Sequence, residues 1–372
     1  MKSNYVWMNW RFTVQDGVLW FVPYWINVLC KFDLSTGKME KIIKIPFDEI
    51  EYAGVYGIRK YEEYIICVPG YENSIFLYNT QSEDMSVIPL RKEDGIYENF
   101  FDCSRWQKNF YFFPRDYNYL VKMNLENKAV TYISLKKFGK MFNSCVQMGN
   151  KVYLVNKSEY LTIFDMEEEF FERVEVCDNE QLNTIERFHE HELIMSSLNG
   201  MIYTYDLQCG EIKKVDAVRG TAYSGIIMAA DKLYLFPQAD IDKIVILDME
   251  NYAVTEIQLQ AKRNKNRQYD YRYGVFSQPV IENSIIYVMN ASNECLHVIN
   301  TLTGEVSDVY IELKEMDEEL CDYFFAFMQK VGGVQEEMAP YATLEHFLKM
   351  QIERDESQTL DVGKKIFEFV KE

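Results

Sequence analysis

What this chain has little of narrows its possibilities before any motif is found. Proline is scarce, 8 in 372 residues, so long stretches are free to extend into strands whose ladders need every backbone N–H. The 8 cysteines, Cys30, Cys67, Cys103, Cys145, Cys177, Cys209, Cys295 and Cys321, form no CxxC pair. That excludes zinc-knuckle and thioredoxin-type spacing, and because most of them fall within apolar runs they are expected to be reduced, structural thiols. Histidine is rarer still, at 4, and Lys and Arg number 39 against 58 Asp and Glu. A field of that sign repels nucleic acid and anionic membrane surfaces, so neither is an expected partner. No apolar run is long enough to span a bilayer, and the opening MKSNYVWMNW lacks the apolar core and small-residue cleavage site of a secretion signal. A cytoplasmic protein is the expectation. GxSxG, Walker, GxGxxG and HExxH patterns are all missing as well.

What is present is aromatic and repetitive. The chain carries 27 Tyr and 24 Phe in a composition that is 48% hydrophobic, enough for a large core and suited to strands, where rings pack well on a pleated surface. From LWFVPYWINVLCKFDLSTG onward, an apolar run, a Pro or polar break, a second apolar run and then Asp or Asn return seven times. The anchoring residues are Asp33, Asn79, Asn124, Asp165, Asp206, Asp248 and Asn300. Each unit has a further strand on either side, so four short strands recur every forty-odd residues, which is the period of a propeller blade. The short anchor side chain accepts backbone N–H groups of the turn that follows it, and Gly37, Gly210 and Gly304 supply a positive φ in three of those turns.

With VINTLTGEV and KFDLSTGKM as repeat-ending segments, the chain resembles the WD40-like and quinoprotein-like propeller superfamily over roughly residues 10 to 311. The resemblance implies an all-β, seven-bladed propeller over residues 1–311. Ring closure is assigned to Glu305–Ile311 completing blade seven or to Tyr5–Met8 adding an edge. Beyond Ile311 the period changes. Leu344, Phe347, Leu348 and Ile352, then Ile366, Phe367 and Val370, stand at helical spacing. Residues 312–372 are therefore expected to form a short helical extension that docks on the propeller or meets a protein partner.

In a propeller the loops between second and third strands and the inter-blade connections open on one face, around the channel mouth. Those loops carry Tyr24, Trp25, Tyr71 and Tyr117 beside Arg115 and Asp116, an aromatic, charged rim. At the start of six first strands an aromatic precedes a small or polar residue: Trp10-Arg11, Tyr56-Gly57, Phe101-Asp102, Phe142-Asn143, Tyr223-Ser224 and Phe276-Ser277. Alternation then directs Arg11, Asp102, Asn143, Ser224 and Ser277 into one ring at the channel. The connection before blade seven is basic, with Arg272 among its cations. His189 and His191 are two ligands without a third, and Asp240 and Asp242 match no EF-hand, so neither a metal nor a cofactor is expected.

The candidate ligand-binding set is thus Arg11, Trp25, Tyr56, Tyr71, Asp102, Arg115, Asn143, Ser224, Arg272 and Ser277. The expected role is non-enzymatic: a binding or scaffold protein whose mouth takes a small molecule, glycan or peptide. The alternative is a lyase, hydrolase or cyclase acting there on an anionic or sugar substrate, with Arg11, Asp102 and the proton donor Tyr56 as its groups.

Overall fold

Seven pairs of apolar runs can be buried together only if each becomes the middle of a sheet whose two faces are both covered. The second strands are accordingly the most enclosed elements: Tyr64–Pro69, Asn109–Pro114 and Lys232–Pro237 bury every residue but the first. The fourth strands are peripheral, and Phe170–Glu175 buries one residue of six. The computed structural model describes residues 11–23, 27–46, 54–70, 72–92, 99–135, 138–139, 141–215, 218, 220–239, 242–259, 275–290 and 295–311. Among them 28 strands form seven four-stranded antiparallel sheets, each with its strands in chain order. The protein is an all-β, seven-bladed propeller. Blades one to seven span residues 13–44, 55–89, 100–134, 144–175, 182–215, 223–258 and 280–309.

The first strands are innermost. Each touches the first strand of the next blade, and Val280–Glu282 of blade seven returns to Thr13–Gln15 of blade one, so the ring closes. Blade seven is completed by its own Val306–Val309, which pairs with Cys295–Asn300. At the seam the Glu282 carboxylate accepts from Asp16 N–H at 2.6 Å and Gly17 N–H at 3.4 Å. The core is divided among the blade interfaces. Ile66, Val68 and Ile75 of blade two pack on Phe100, Phe110 and Phe112 of blade three, while Tyr111 and Phe113 on the opposite face meet Phe164 of blade four.

All seven anchors do what their chemistry suggests. One carboxylate or amide oxygen of each accepts the N–H groups two and three residues on, at 2.7 to 3.2 Å. The residue four places after the anchor is left-handed in every blade, with φ from +54° to +76°. Three of these positions are Gly37, Gly210 and Gly304; the other four are Glu83, Lys128, Glu169 and Tyr252.

Among the described residues no helix is long and apolar enough to cross a membrane. The seven described cysteines are unpaired, and five of them are buried. The helical extension expected over 312–372, the strand Tyr5–Met8, and the candidates Trp25, Tyr71 and Arg272 lie outside the described residues.

Candidate functional site

The inner strands set the channel out in levels that can be read from their pairing. The third residue of each second strand, from Trp20 in blade one to Tyr287 in blade seven, pairs with Thr13, Arg59, Ser104, Val146, Glu186, Ile227 and Val280. Two residues nearer the mouth stand Arg11, Gly57, Asp102, Ser144, Thr184, Gly225 and Gln278. One residue nearer again the pairing slips. Blades two, three, five and six each carry an extra residue there, namely Tyr56, Phe101, Asn183 and Ser224. In blades four and seven Asn143 and Ser277 stand in the same place, donating N–H to Val155 O at 3.0 Å and Met289 O at 2.9 Å.

The single ring expected from the aromatic-polar pairs is therefore two rings. Arg11 and Asp102 occupy the deeper one, and Asn143, Ser224 and Ser277 share the outer one with Tyr56. Blade five has no aromatic in its pair, and its contribution to the outer ring, Asn183, went unrecognised. Asn183 holds the ring together: Asn143 Nδ2 donates to Asn183 O at 2.5 Å, and Asn183 Nδ2 donates to Tyr223 O at 2.6 Å. Gln278 Nε2 bridges blades seven and six by donating to Ser224 O at 3.0 Å. Arg115, from the loop after the second strand of blade three, donates from Nη1 to Tyr56 Oη at 2.8 Å and lies 5.7 Å above its ring. Tyr117, expected on the rim, is fully buried against Phe100 and Tyr132, because its loop folds back over the interface between blades two and three.

The deeper ring is built around one carboxylate. Asp102 is fully buried and draws donors from four blades. Arg59 grips it bidentately, Nε to Oδ1 at 2.7 Å and Nη2 to Oδ2 at 2.5 Å, and Arg11 Nη1 reaches Oδ2 at 2.8 Å from two blades away. Cys103 N–H at 2.8 Å and the Cys145 thiol at 3.2 Å complete the set. Burial opposes ionisation, but the Arg11 and Arg59 charges and the hydrogen bonds from Arg59 and Cys103 outweigh it and hold Asp102 below the usual carboxylate range. Cys145 goes the other way, raised first by burial and then by the Asp102 charge.

Arg11 reaches this position because blade two carries glycine beside it. A Cβ on Gly57 would sit 2.4 Å from Arg11 Cβ, and the two residues form a parallel bridge with Ile58 N–H donating to Arg11 O at 3.3 Å.

Neither Arg59 nor Glu186 was recognised in the sequence, since both lie beyond the aromatic-polar pairs in stretches with no motif. Glu186 comes from blade five, opposite the gap between blades one and two in a ring of seven. Its carboxyl is pushed up to about 7 by burial, against the lowering effects of the Arg187 N–H, at 2.9 Å from Oε1, and of the Arg59, Arg11 and Arg187 charges. His189 and His191 are exposed hairpin residues. A cluster the sequence did not suggest, Cys295, His297 and Asp308, lies in blade seven. There His297 Nδ1 stands 2.7 Å from Asp308 and Nε2 stands 3.2 Å from Asn290 Nδ2, so the ring nitrogens already have partners.

Protein-family models and curated proteins give no match to the sequence. Solved structures do match in fold. The chain is similar to the β-propeller domain of Cps50 (Swd1) from Myceliophteria thermophila, at TM-score 0.59 and 11% identity over 80% of this chain and 97% of that one. It is also similar to BamB from Moraxella catarrhalis, at TM-score 0.52 and 10% identity over 76% and 82%. The extracellular domain of the putative one component system BT4673 from B. thetaiotaomicron matches at 0.58 and 12% identity over 79% of this chain but 38% of its own. Identities this low show the propeller fold and nothing finer, a fold compatible with binding or scaffold work.

Proposed function

We propose that this protein is a non-enzymatic binding protein whose channel-mouth face takes a small molecule, glycan or peptide in the cytoplasm. A protein partner would meet residues 312–372. The observation that carries the reading is the outer ring: Tyr56, Asn143, Asn183, Ser224 and Ser277 come from five blades, Tyr56 held by the Arg115 side chain and the other four by hydrogen bonds between side chains and main chain. A mouth ordered in this way costs a ligand little to organise. The Arg115–Tyr56 pair adds a cation and an aromatic face, suited to stacking and to recognition of oxygen-rich groups. Trp25, Tyr71 and Arg272 belong to the same proposed rim.

A thermal-shift screen of mono- and oligosaccharides, short peptides and small organic acids tests it. The expected outcome is at least one class that raises the melting temperature of the wild type and loses that effect in Arg115→Ala. A screen in which no class stabilises the protein would remove the mouth as a binding site.

Catalysis on an anionic or sugar substrate is the second reading, and Glu186 is the observation in its favour, because an acid titrating near neutrality suits general acid–base work. Asp102 does not suit it. Saturated with donors and held ionised, it neither gives nor takes a proton near pH 7. Turnover of any stabilising ligand, followed by mass spectrometry and abolished in Glu186→Gln, separates this reading from the first.

A further inference from the structure

Two guanidiniums, Arg11 and Arg59, share one buried carboxylate of an inner strand, that of Asp102. Asp102 already accepts from five donors, so the cluster carries one positive charge that nothing in it balances. Uncompensated charge away from bulk water is unfavourable. Arg11 is only 6% exposed and its guanidinium lies 5.6 Å over the Phe101 ring, yet its Nε and Nη2 have no hydrogen-bond partner among the described residues. Those two N–H groups form one edge of the guanidinium, the same edge with which Arg59 holds Asp102, and that edge matches the two oxygens of a carboxylate. Arg59 keeps 36% of its side chain exposed, and its Nη1 has no partner among the described residues. Glu186, from blade five, lies within the field of both arginines; its hydrogen bond is from its neighbour's Arg187 N–H and not from either of them. Its level of the channel is partly open, for Thr13, Arg59, Val146, Glu186 and Val280 all retain some exposure.

We propose that the channel between Arg11, Arg59 and Glu186 binds a small monocarboxylate, with Arg11 and Arg59 as its counter-charges. The inference deepens the binding reading above by giving the ligand a chemical class and a seat below the mouth. A single negative charge balances the cluster, whereas a phosphate dianion would exceed it beside an acid.

Proton linkage follows from Glu186. Arg187 and His189 share its strand, and the strands packed against it carry Glu192 in its own blade, Cys145, Lys151 and Tyr153 in blade four, and Tyr223 in blade six. Arg59, Arg11 and Arg187 are the charges that act on it, after burial, to set its value near 7. Below that pH Glu186 is neutral and the cluster is cationic; above it the Glu186 carboxylate competes with the ligand for the same field.

Acetate titrated by calorimetry into the full-length protein at fixed ionic strength, with inorganic phosphate and chloride as parallel arms, tests the site. The expected result is saturable acetate binding at pH 6 that weakens roughly tenfold by pH 8, as the protonated fraction of Glu186 falls by that factor. Arg11→Met leaves Asp102 paired with Arg59 and lowers acetate affinity by at least roughly tenfold, the worth of a charged hydrogen bond. Glu186→Gln keeps the pH 6 affinity and flattens the profile, and it serves as the test if Arg11→Met does not fold. No saturable acetate binding, phosphate bound in preference to acetate, or a slope that persists in Glu186→Gln would each overturn the proposal. If acetate fails while a ligand dependent on Arg115 still stabilises the protein, the channel site is lost and the mouth reading stands.

Discussion

At the scale of single residues, Asp102 is the side chain on which the inner wall depends. It is the one acceptor shared by Arg11, Arg59 and Cys145, so three neighbouring blades are held to blade three through a single carboxylate. Replacing it with Asn removes the charge but not the shape, and leaves two arginines facing each other without a counter-ion. Breaking a buried pair in this way costs about 3–5 kcal/mol, and urea unfolding of Asp102→Asn is expected to show a loss of that size at pH 7. The pH dependence has a definite sign. A carboxyl held low in the folded state contributes stability above its unfolded value, and the contribution is lost as the pH falls through the folded value. The gap between wild type and Asp102→Asn therefore closes on acidification below about pH 4, the ordinary aspartate range, and a gap that stayed constant would mean the carboxylate is not what Arg11 and Arg59 require.

At the scale of elements, the turn after each third strand explains why so much of the fold was legible. Asp or Asn recurs because its oxygen must cap two N–H groups, and that requirement writes one letter into the sequence at every blade from Asp33 to Asn300. The left-handed position four residues later is written less clearly: glycine fills it three times, and Glu83, Lys128, Glu169 and Tyr252 accept the strain. A non-glycine residue there costs about 1–2 kcal/mol, partly offset because glycine is freer in the unfolded chain. Tyr252 is 51% exposed, so Tyr252→Gly gives up little packing and is expected to gain about 0.5–1 kcal/mol, with Gly210→Ala losing a similar amount. Paired thermal melts check both signs. The first strands were harder to read. Their aromatic-polar pairs identify the mouth, but the extra residue at Tyr56, Phe101, Asn183 and Ser224 is a property of pairing between strands, and no local pattern records it. For the same reason no local pattern singles out Arg59 and Glu186: the charge of one acts on the other across the ring although 127 positions separate them in the chain.

At the scale of the whole molecule, seven separately hydrogen-bonded sheets become one object only because the ring closes. Repeat proteins gain stability from each interface between neighbours, and an open array has one interface fewer than a closed ring. Here no strand is exchanged at the seam among the described residues, since blade seven finishes with its own Val306–Val309. What joins the ends is packing of Val280–Glu282 on Thr13–Gln15 and the Glu282 carboxylate on the N–H groups of Asp16 and Gly17. Those two amides belong to a hairpin turn with left-handed φ at both residues, so their N–H groups are fixed in direction and Glu282 needs no rearrangement to meet them. Glu282→Ala removes the clasp and leaves every sheet intact. Its expected cost is about 1–2 kcal/mol, the worth of hydrogen bonds to a charged group at a partly exposed site. The cost should be local. Hydrogen exchange is expected to speed up at Asp16, Gly17 and the inner strands of blades one and seven, while Ser144–Met148 and Leu182–His189, on the far side of the ring, keep wild-type protection. Uniform acceleration in all seven blades would instead mean that the ring opens as a single cooperative unit, and that the seam is no weaker than any other interface.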